Sequence, residues 1–355
     1  MSFESAAMIV RHVPVSAVVT NYNGIESLKK TLRSLSAASY AFTEIIVVDD
    51  GSTDGSCEWI ARTYPDVMVV RFERNTANLA KVRNAGIKAA SSRYIFLTDN
   101  DIIVQDGCVE QLLATMLADM NVISVTPRLL EQDRPEVVYQ SGNALHFLGV
   151  STGSRRGQLA SALGSGPPCH SVGGGIMLLD KEKAAQLGFF DEGYVHGWCD
   201  DGEIHWRGVL AGYLSLHDPA AICLVEVREH GNKRAFGQFH NRLRLILTSY
   251  KTSTLVGLSL ALLLFEIALA FASLANGSFS AYAKALGATW RKRSDLWCMR
   301  RVVQSSRRVP DGQYLRAGAF EFPGLSKLSP LTQRAIGFAQ SCTNVFWWIS
   351  YPFLL

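Results

Sequence analysis

The sequence predicts an α/β fold: a mostly parallel sheet flanked by helices, followed by a helical C-terminal region associated with a membrane. Three observations carry this. From Val13 onward, short continuous apolar runs alternate with amphipathic ones, the mark of parallel strands covered on both faces. Several of those runs close on acidic residues, where open α/β sheets hold ligands beyond their carboxyl ends. After residue 250 comes a long apolar stretch set among basic residues.

The elements follow in chain order. PVSAVVT (14–20) has the continuous apolar character of a buried strand. Ile25, Leu28, Leu32 and Leu35 recur at helical spacing after a turn at Tyr22-Asn23-Gly24, which predicts a helix over 25–38. EIIVVDD (44–50) is a second strand ending in acid. The turn Gly51-Ser52-Thr53-Asp54-Gly55 also caps a helix from Ser56. VMVVRF (67–72) is a third strand, Leu79 to Ala90 a helix, and YIFLT (94–98) a fourth strand. A Gly-rich segment, GSGPPCHSVGGG (164–175), precedes a strand IMLLD, a loop leading into a helix within 187–213, and a last strand ICLVEV (222–227).

Residues 254–275, TLVGLSLALLLFEIALAFASLA, carry a single charge, Glu266. A bilayer core takes about 20 apolar residues, so the stretch is long enough to span one. A mid-helix charge at about 2.5 kcal/mol or more argues against that. So do basic residues on both sides: Arg242, Arg244 and Lys251 before, and Lys284, Arg291, Lys292, Arg293, Arg300 and Arg301 after. A helix lying in the interface, or a re-entrant hairpin, keeps both clusters on one side. The alternative is a core helix or a homodimer helix. The aromatic-rich NVFWWISYPFLL (344–355) suits the headgroup zone.

The chain has 355 residues, 35 Lys or Arg and 31 Asp or Glu, for a net charge of +4. Residues 276–334 hold eleven basic and three acidic residues, a local +8 that suits phosphate or acidic lipid headgroups. No aromatic-interleaved basic motif accompanies it, so nucleic acid is not an expected partner. Seven cysteines, odd in number and without CxxC, indicate reduced thiols in a cytosolic setting. The N-terminal MSFESAAMIVRHV does not have the form of a signal peptide.

The acidic residues carry the chemistry. Asp99 and Asp101 end the fourth strand two residues apart, where like charges repel unless something positive sits between them. A hard divalent cation bridging carboxylates to a diphosphate answers that need. Asp49-Asp50 ends another strand, so Asp50 can face the same crevice and accept from a pyrimidine N–H, with Tyr22 stacking on the base. A third acidic group, Asp200-Asp201 with Glu203, stands at the head of a helix.

VSAVVTNYNG, IIVVDDGSTDGS, RNAGI, FLTDNDIIV, GGGIMLLDKE, GFFDEGY and the DDGE–AGY helix follow one another in the order of family-2 glycosyltransferases with the Rossmann-like GT-A fold, which the chain resembles over roughly 14–250. REHG and FHNRLRLIL look like a bacterial rhamnosyltransferase-type branch that builds cell-surface polysaccharides. The resemblance implies a catalytic domain over 1–240, with a nucleotide-sugar half near 14–105 and an acceptor half near 106–240, and a helical, basic, membrane-associated region over 241–355. It implies Thr20, Tyr22 and Asp50 for the nucleobase pocket, Asp99 also for the donor, Asp99 and Asp101 for a Mg²⁺ or Mn²⁺ site completed by His230, and Gly173, Gly174 and Gly175 for the acceptor floor. The general base is Asp201 counting back from Ala211-Gly212-Tyr213, or Asp200 given one inserted residue after Phe190-Asp191-Glu192. Arg83 either touches the diphosphate or is a surface residue, and Arg155 and Arg156 are acceptor contacts or solvated. Asn78 stands where many relatives have glycine. The implied reaction is a single inverting displacement from a nucleotide-diphosphate sugar, UDP- or dTDP-linked, rhamnose among the candidates, onto a saccharide or lipid-linked acceptor. QxxRW is absent, which argues for one sugar per encounter. The implied place is the cytoplasmic face of the inner membrane, peripheral or monotopic. A sugar-phosphate nucleotidyltransferase would show a basic Gly-rich loop after the first strand, where this chain has TNYNGIES. A non-catalytic scaffold is the remaining rival.

Overall fold

In the computed structural model the described residues are 10, 12–195, 198–228 and 234–318, with 337, 341, 344–349 and 351–353 beyond. The first half reads β1 (Val15–Asn21), α1 (Ile25–Ala37), β2 (Glu44–Asp49), α2 (Ser56–Thr63), β3 (Met68–Arg71), α3 (Leu79–Ala89) and β4 (Tyr94–Asp99). β4, β1, β2 and β3 are neighbours in that order, and each pairing is parallel. β1 is buried throughout, and its side chains divide between two cores as a two-residue period requires. Val15, Ala17 and Val19 pack with Leu28, Leu32 and Leu35 of α1. Val18 packs on the other face with Ala80, Val82 and Ile87 of α3. A Cβ at Gly86 would lie 2.3 Å from Val18 Cγ1, so α3 approaches the sheet only because that position is glycine.

β5 (Ile102–Val104), α4 (Cys108–Ala118), β6 (Val122–Glu131), β7 (Arg134–Gln140), β8 (Ala144–His146), β9 (Ser151–Thr152), α5 (Ala160–Leu163), β10 (Cys169–His170), β11 (Met177–Asp180), α6 (Lys181–Gln186), α7 (Gly202–Leu210) and β12 (Leu214–Val225) follow. The main sheet runs β10-β12-β6-β11-β4-β1-β2-β3, with β5 on β12 and β7 on β6. It is mixed rather than wholly parallel, because β11 enters antiparallel between β4 and β6. β12 starts eight residues before the apolar run ICLVEV and carries a register shift between Asp218 and Ile222, opposite Pro127 and Arg128. A bulge there lets two strands that each carry one proline, Pro219 and Pro127, stay paired.

The C-terminal region has α8 (Ala235–Ser249), α9 (Thr252–Gly257), α10 (Ser259–Ala275), α11 (Phe279–Arg291), α12 (Arg293–Ser306) and β13 (Leu315–Arg316), which joins β8 and β9 in a small sheet. The apolar stretch is therefore two helices, divided at Leu258. Among the described residues no helix is long and apolar enough to cross a membrane. Trp206 and Leu210 of α7 pack with Leu245 and Ile246 of α8, with Tyr250 just after it, and with Leu258 and Ala261, so this region shares a core with the helix that Asp201 heads.

Candidate active site

Register decides what meets at the carboxyl edge of the sheet. Thr20 on β1 pairs with Asp99 on β4, and Asn21 pairs with Asp49 on β2. Thr20 Oγ1 donates to Asp99 Oδ1 at 2.7 Å. The two aspartates at the end of β2 divide their work. Asp49 is fully buried and accepts from Asn21 Nδ2 at 2.9 Å and from the Ser52 amide at 2.8 Å, which ties β1 to the following turn. Asp50 accepts from the Thr76 amide at 2.9 Å and so anchors the loop before α3. Its pKa is raised by burial, against the hydrogen bonds from Thr76. Tyr22, on the loop after β1, is 49% exposed. Asp54 accepts from the Ser56 and Ile25 amides, which leaves Asp50 free of capping duty.

Arg83 is not a surface residue. It is 2% exposed, with Nη2 3.5 Å from Asp99 Oδ1 and Nη1 3.9 Å from Asp200 Oδ2. Nη1 also donates to the Asp200 carbonyl at 3.3 Å, and the guanidinium lies over the Phe190 ring. Burial alone would lower its pKa; Asp99, Asp200 and Asp201 outweigh burial and raise it, so it stays charged. Its Nε is buried without a hydrogen-bond partner. Asn78 caps α3 by accepting from the Lys81 amide, and its Nδ2 donates to the Glu192 carbonyl at 2.7 Å. An asparagine here thus stitches the α3 loop to the segment before Asp200.

Asp101 turns toward β12. Its carbonyl accepts from the Glu226 amide at 3.1 Å. Its carboxyl is pushed up to about 6 by burial and then by Asp99, with Arg228 opposing. His230 lies outside the described residues. The strand leading to it ends at Val225, whose register partner is Ile102, next to Asp101. Among the described residues no group of three or more His, Cys, Asp or Glu gathers as a ready-made metal cage. Two carboxylates remain, a donor set that suits a hard cation sharing its other positions with phosphate and water.

Asp201 heads α7 and its Oδ1 accepts from the Gly202 amide at 2.7 Å. Burial and then Asp200 raise its pKa, with Arg83 opposing. The neighbouring acids differ: Asp200 faces Arg83, whereas Asp201 lines a cavity of about 150 Å³ together with Gly173, Gly174, Asn143, Trp198 and Trp206. A Cβ at Gly175 would lie 2.9 Å from Arg83 Nη2 and 3.3 Å from Asp201 Oδ2, so the third glycine is the gap through which Arg83 and Asp201 approach. Glu203 is not part of this crevice chemistry. It pairs with Arg207, Nε to Oε2 at 2.6 Å, and accepts from the Asp191 amide at 2.8 Å. Sequence reasoning missed Asp191 itself, which takes a two-pronged bond from Arg244 at 2.7 and 2.8 Å and fastens α8 to the loop before Asp200. Its only sequence signal was the GFFDEGY block. Arg155 and Arg156 are exposed on the segment after β9, and Arg156 lies over the Tyr139 ring.

An acid-bearing sheet edge facing a helix-borne carboxylate across a glycine floor has the architecture of the GT-A fold. The family described as Glycosyl transferase family 2 matches residues 16–187, just under half of the chain. Similar curated proteins include the poly-beta-1,6-N-acetyl-D-glucosamine synthase of Staphylococcus aureus (strain COL), 24% identical over 217 residues, 61% of this chain and 50% of the relative. The synthase of that name from Staphylococcus epidermidis matches at the same identity and coverage. The chain thus spans about half the length of these relatives. Among solved structures, that of GalNAc-T7 with UDP, GalNAc and Mn²⁺ shares the fold at a TM-score of 0.55 and 18% identity, covering 69% of this chain and 50% of the other.

Proposed function

We propose that the chain transfers one sugar, with inversion, from a nucleotide-diphosphate donor to a saccharide or lipid-linked saccharide in cell-surface polysaccharide synthesis. The observation that carries this is the convergence of Asp99, itself bonded by Thr20, and of Asp200 and Asp201 around one buried arginine, Arg83, so that four separate segments meet there. Tyr22 and Asp50 hold the base, Thr20 and Asp99 the ribose-diphosphate side. The unpartnered Nε of Arg83 suits a further anionic oxygen.

Mg²⁺ or Mn²⁺ would be held by Asp99 and Asp101, with His230 as the third candidate; when bound, the cation offsets charge on the departing diphosphate. The raised Asp101 carboxyl fits this, because a nearby cation relieves the repulsion from Asp99. Asp201 is the base that takes the proton from an acceptor hydroxyl. It lines the cavity beside the glycine floor, and its raised pKa makes it a better proton acceptor than an ordinary carboxylate. Asp200, which faces Arg83 and does not line that cavity, is the less suited of the two. The curated relatives widen the donor candidates from dTDP-rhamnose to UDP-linked N-acetylhexosamines. The work site is the cytoplasmic face of the inner membrane.

Purified protein with Mn²⁺ and a panel of UDP-GlcNAc, UDP-GalNAc, UDP-glucose and dTDP-rhamnose tests the reading through nucleotide release, with Asp201→Asn as control. Release from one donor, stimulated by acceptor and lost in the variant, supports it. Formation of a nucleoside triphosphate and a sugar 1-phosphate when pyrophosphate is added to the donor would point to a nucleotidyltransferase, and silence toward every donor, with or without pyrophosphate, to a non-catalytic scaffold.

A further inference from the structure

Glu266 is the one charge in an otherwise apolar helix, and the fold turns it inward. It pairs with Arg242 of α8, itself 3% exposed, and accepts from Tyr282 Oη of α11 at 3.0 Å. Ala261 and Ser273 share the buried side of α10. What remains outside is apolar without interruption: Leu260, Leu263, Leu264, Ile267, Phe271 and Leu274 are all exposed, Phe271 at 68%. Their three- and four-residue spacing puts them on one helix face. α11 repeats the arrangement. Tyr282 and Ala285 face in, while Phe279, Leu286 and Trp290 are exposed. Trp297 of α12 and Trp348 are exposed at 62% and 74%, whereas Trp347, next to Trp348, is buried against Phe147.

We propose that this surface docks on a bilayer containing anionic phospholipid, with α10 lying in the interfacial layer rather than crossing it. Length excludes a crossing: 17 residues of helix reach only about 26 Å, short of the ~30 Å core. Charge names the occupant. Lys284, Arg291, Arg293 and Arg301 are exposed on the two helices that carry Trp290 and Trp297, and Lys292 is exposed at the junction between them. The first acid of α12, Asp295, is paired to Arg244 at 2.6 Å. A second copy docking through the same face would set these cations against their own images, because a two-fold interface is self-complementary. Anionic headgroups meet them with opposite charge while the Leu, Phe and Trp side chains enter the acyl boundary. The platform connects to the site through α8, whose Arg242 holds Glu266 and whose Arg244 holds Asp191. Docking therefore fixes the attitude of the Asp201 crevice to the lipid surface.

This deepens the membrane-side part of the proposed function and rests on it only for the acceptor; vesicle binding is read without donor or acceptor. The full chain is floated with vesicles of phosphatidylcholine, alone or mixed with phosphatidylglycerol. Quenching of tryptophan fluorescence by brominated lipid is measured in parallel. Flotation with the anionic vesicles, with quenching, is expected. A Leu263→Asp/Phe271→Asp variant should lose about tenfold or more in partition, and Lys292→Glu/Arg293→Glu should lose the preference for anionic vesicles. Met120→Asp, on an exposed loop after α4, serves as the control and should bind normally. Circular dichroism verifies folding of each variant, and Trp290→Ala, which removes no internal contact of Glu266, repeats the test should the aspartate pair unfold. Unchanged flotation of folded variants would overturn the proposal. So would concentration-dependent dimers by sedimentation with no vesicle binding, which would assign the face to a second copy.

Discussion

Arg83 and Asp99 face each other at 3.5 Å, from a helix and a strand, with the arginine sealed from solvent. Their meeting explains how two aspartates two residues apart persist at the edge of a buried strand. A fixed positive charge sits beside Asp99 before any ligand arrives, and Asp200 shares it from the far side of the crevice. The repulsion left over falls on Asp101, where Arg228 and a backbone hydrogen bond oppose it without outweighing burial and Asp99.

Replacing Arg83 by methionine should cost more than a surface arginine would. It leaves Asp99 and Asp200 facing each other without their shared cation. A loss of about 3 kcal/mol in urea unfolding is expected, since breaking a buried ion pair typically costs that much. Wild-type stability in the variant would show that the carboxylates do not depend on Arg83.

Asp201→Asn should keep the fold, because asparagine caps a helix as well as aspartate does. Transfer should fall by about 10² to 10⁴, the usual contribution of a general base. Donor affinity, measured by calorimetry, should be unchanged. Asp200→Asn should reduce transfer far less, and the reverse ranking would give the base role to Asp200.

The metal-free protein should carry a pH signature from Asp101. Its carboxyl is raised from 3.8 to about 6 in the fold, so between those values the folded state holds more proton than the unfolded state. That contribution to stability is present below pH 4 and is lost as pH rises through 6. Asp101→Asn should therefore raise the Tm of metal-free protein at pH 7 by a few degrees, and have little effect at pH 4. Equal shifts at both pH values would exclude titration of Asp101 as the cause.

Chelation should abolish donor turnover, and Mn²⁺ or Mg²⁺ should restore it. Below pH 6 the metal required for half-activity should rise, as protons compete for Asp101. Full turnover in excess chelator would remove the cation from the reaction.

Glu266→Leu should destabilise the protein, although it makes α10 more apolar. Arg242 is buried and its carboxylate partner would be gone, with about 3 kcal/mol lost in urea unfolding. A stabilised variant would mean that the charge faces solvent.

Much of the first half was legible because its signals are local. Apolar runs and helical spacing placed β1 to β4 and α1 to α3 within a residue or two. β6 went unread, although every residue in it is buried, because Pro127 and Arg128 interrupt its apolar pattern. β12 was read only from Ile222, because Asp218 and Pro219 disguise a strand whose bulge depends on its neighbour. The antiparallel entry of β11 has no local signal, since direction is set by the strands on either side.

The sequence by itself determined which acids stand at strand and helix ends, and that a long apolar stretch carries a single charge. Those are properties of order and spacing along one chain. Only the tertiary structure decided that Arg83 is buried among three of the acids, that Asp201 rather than Asp200 lines the cavity, and that Glu266 points inward. Each depends on which side chain from a distant segment lies opposite, and the free energy of a charge is set by its surroundings in space.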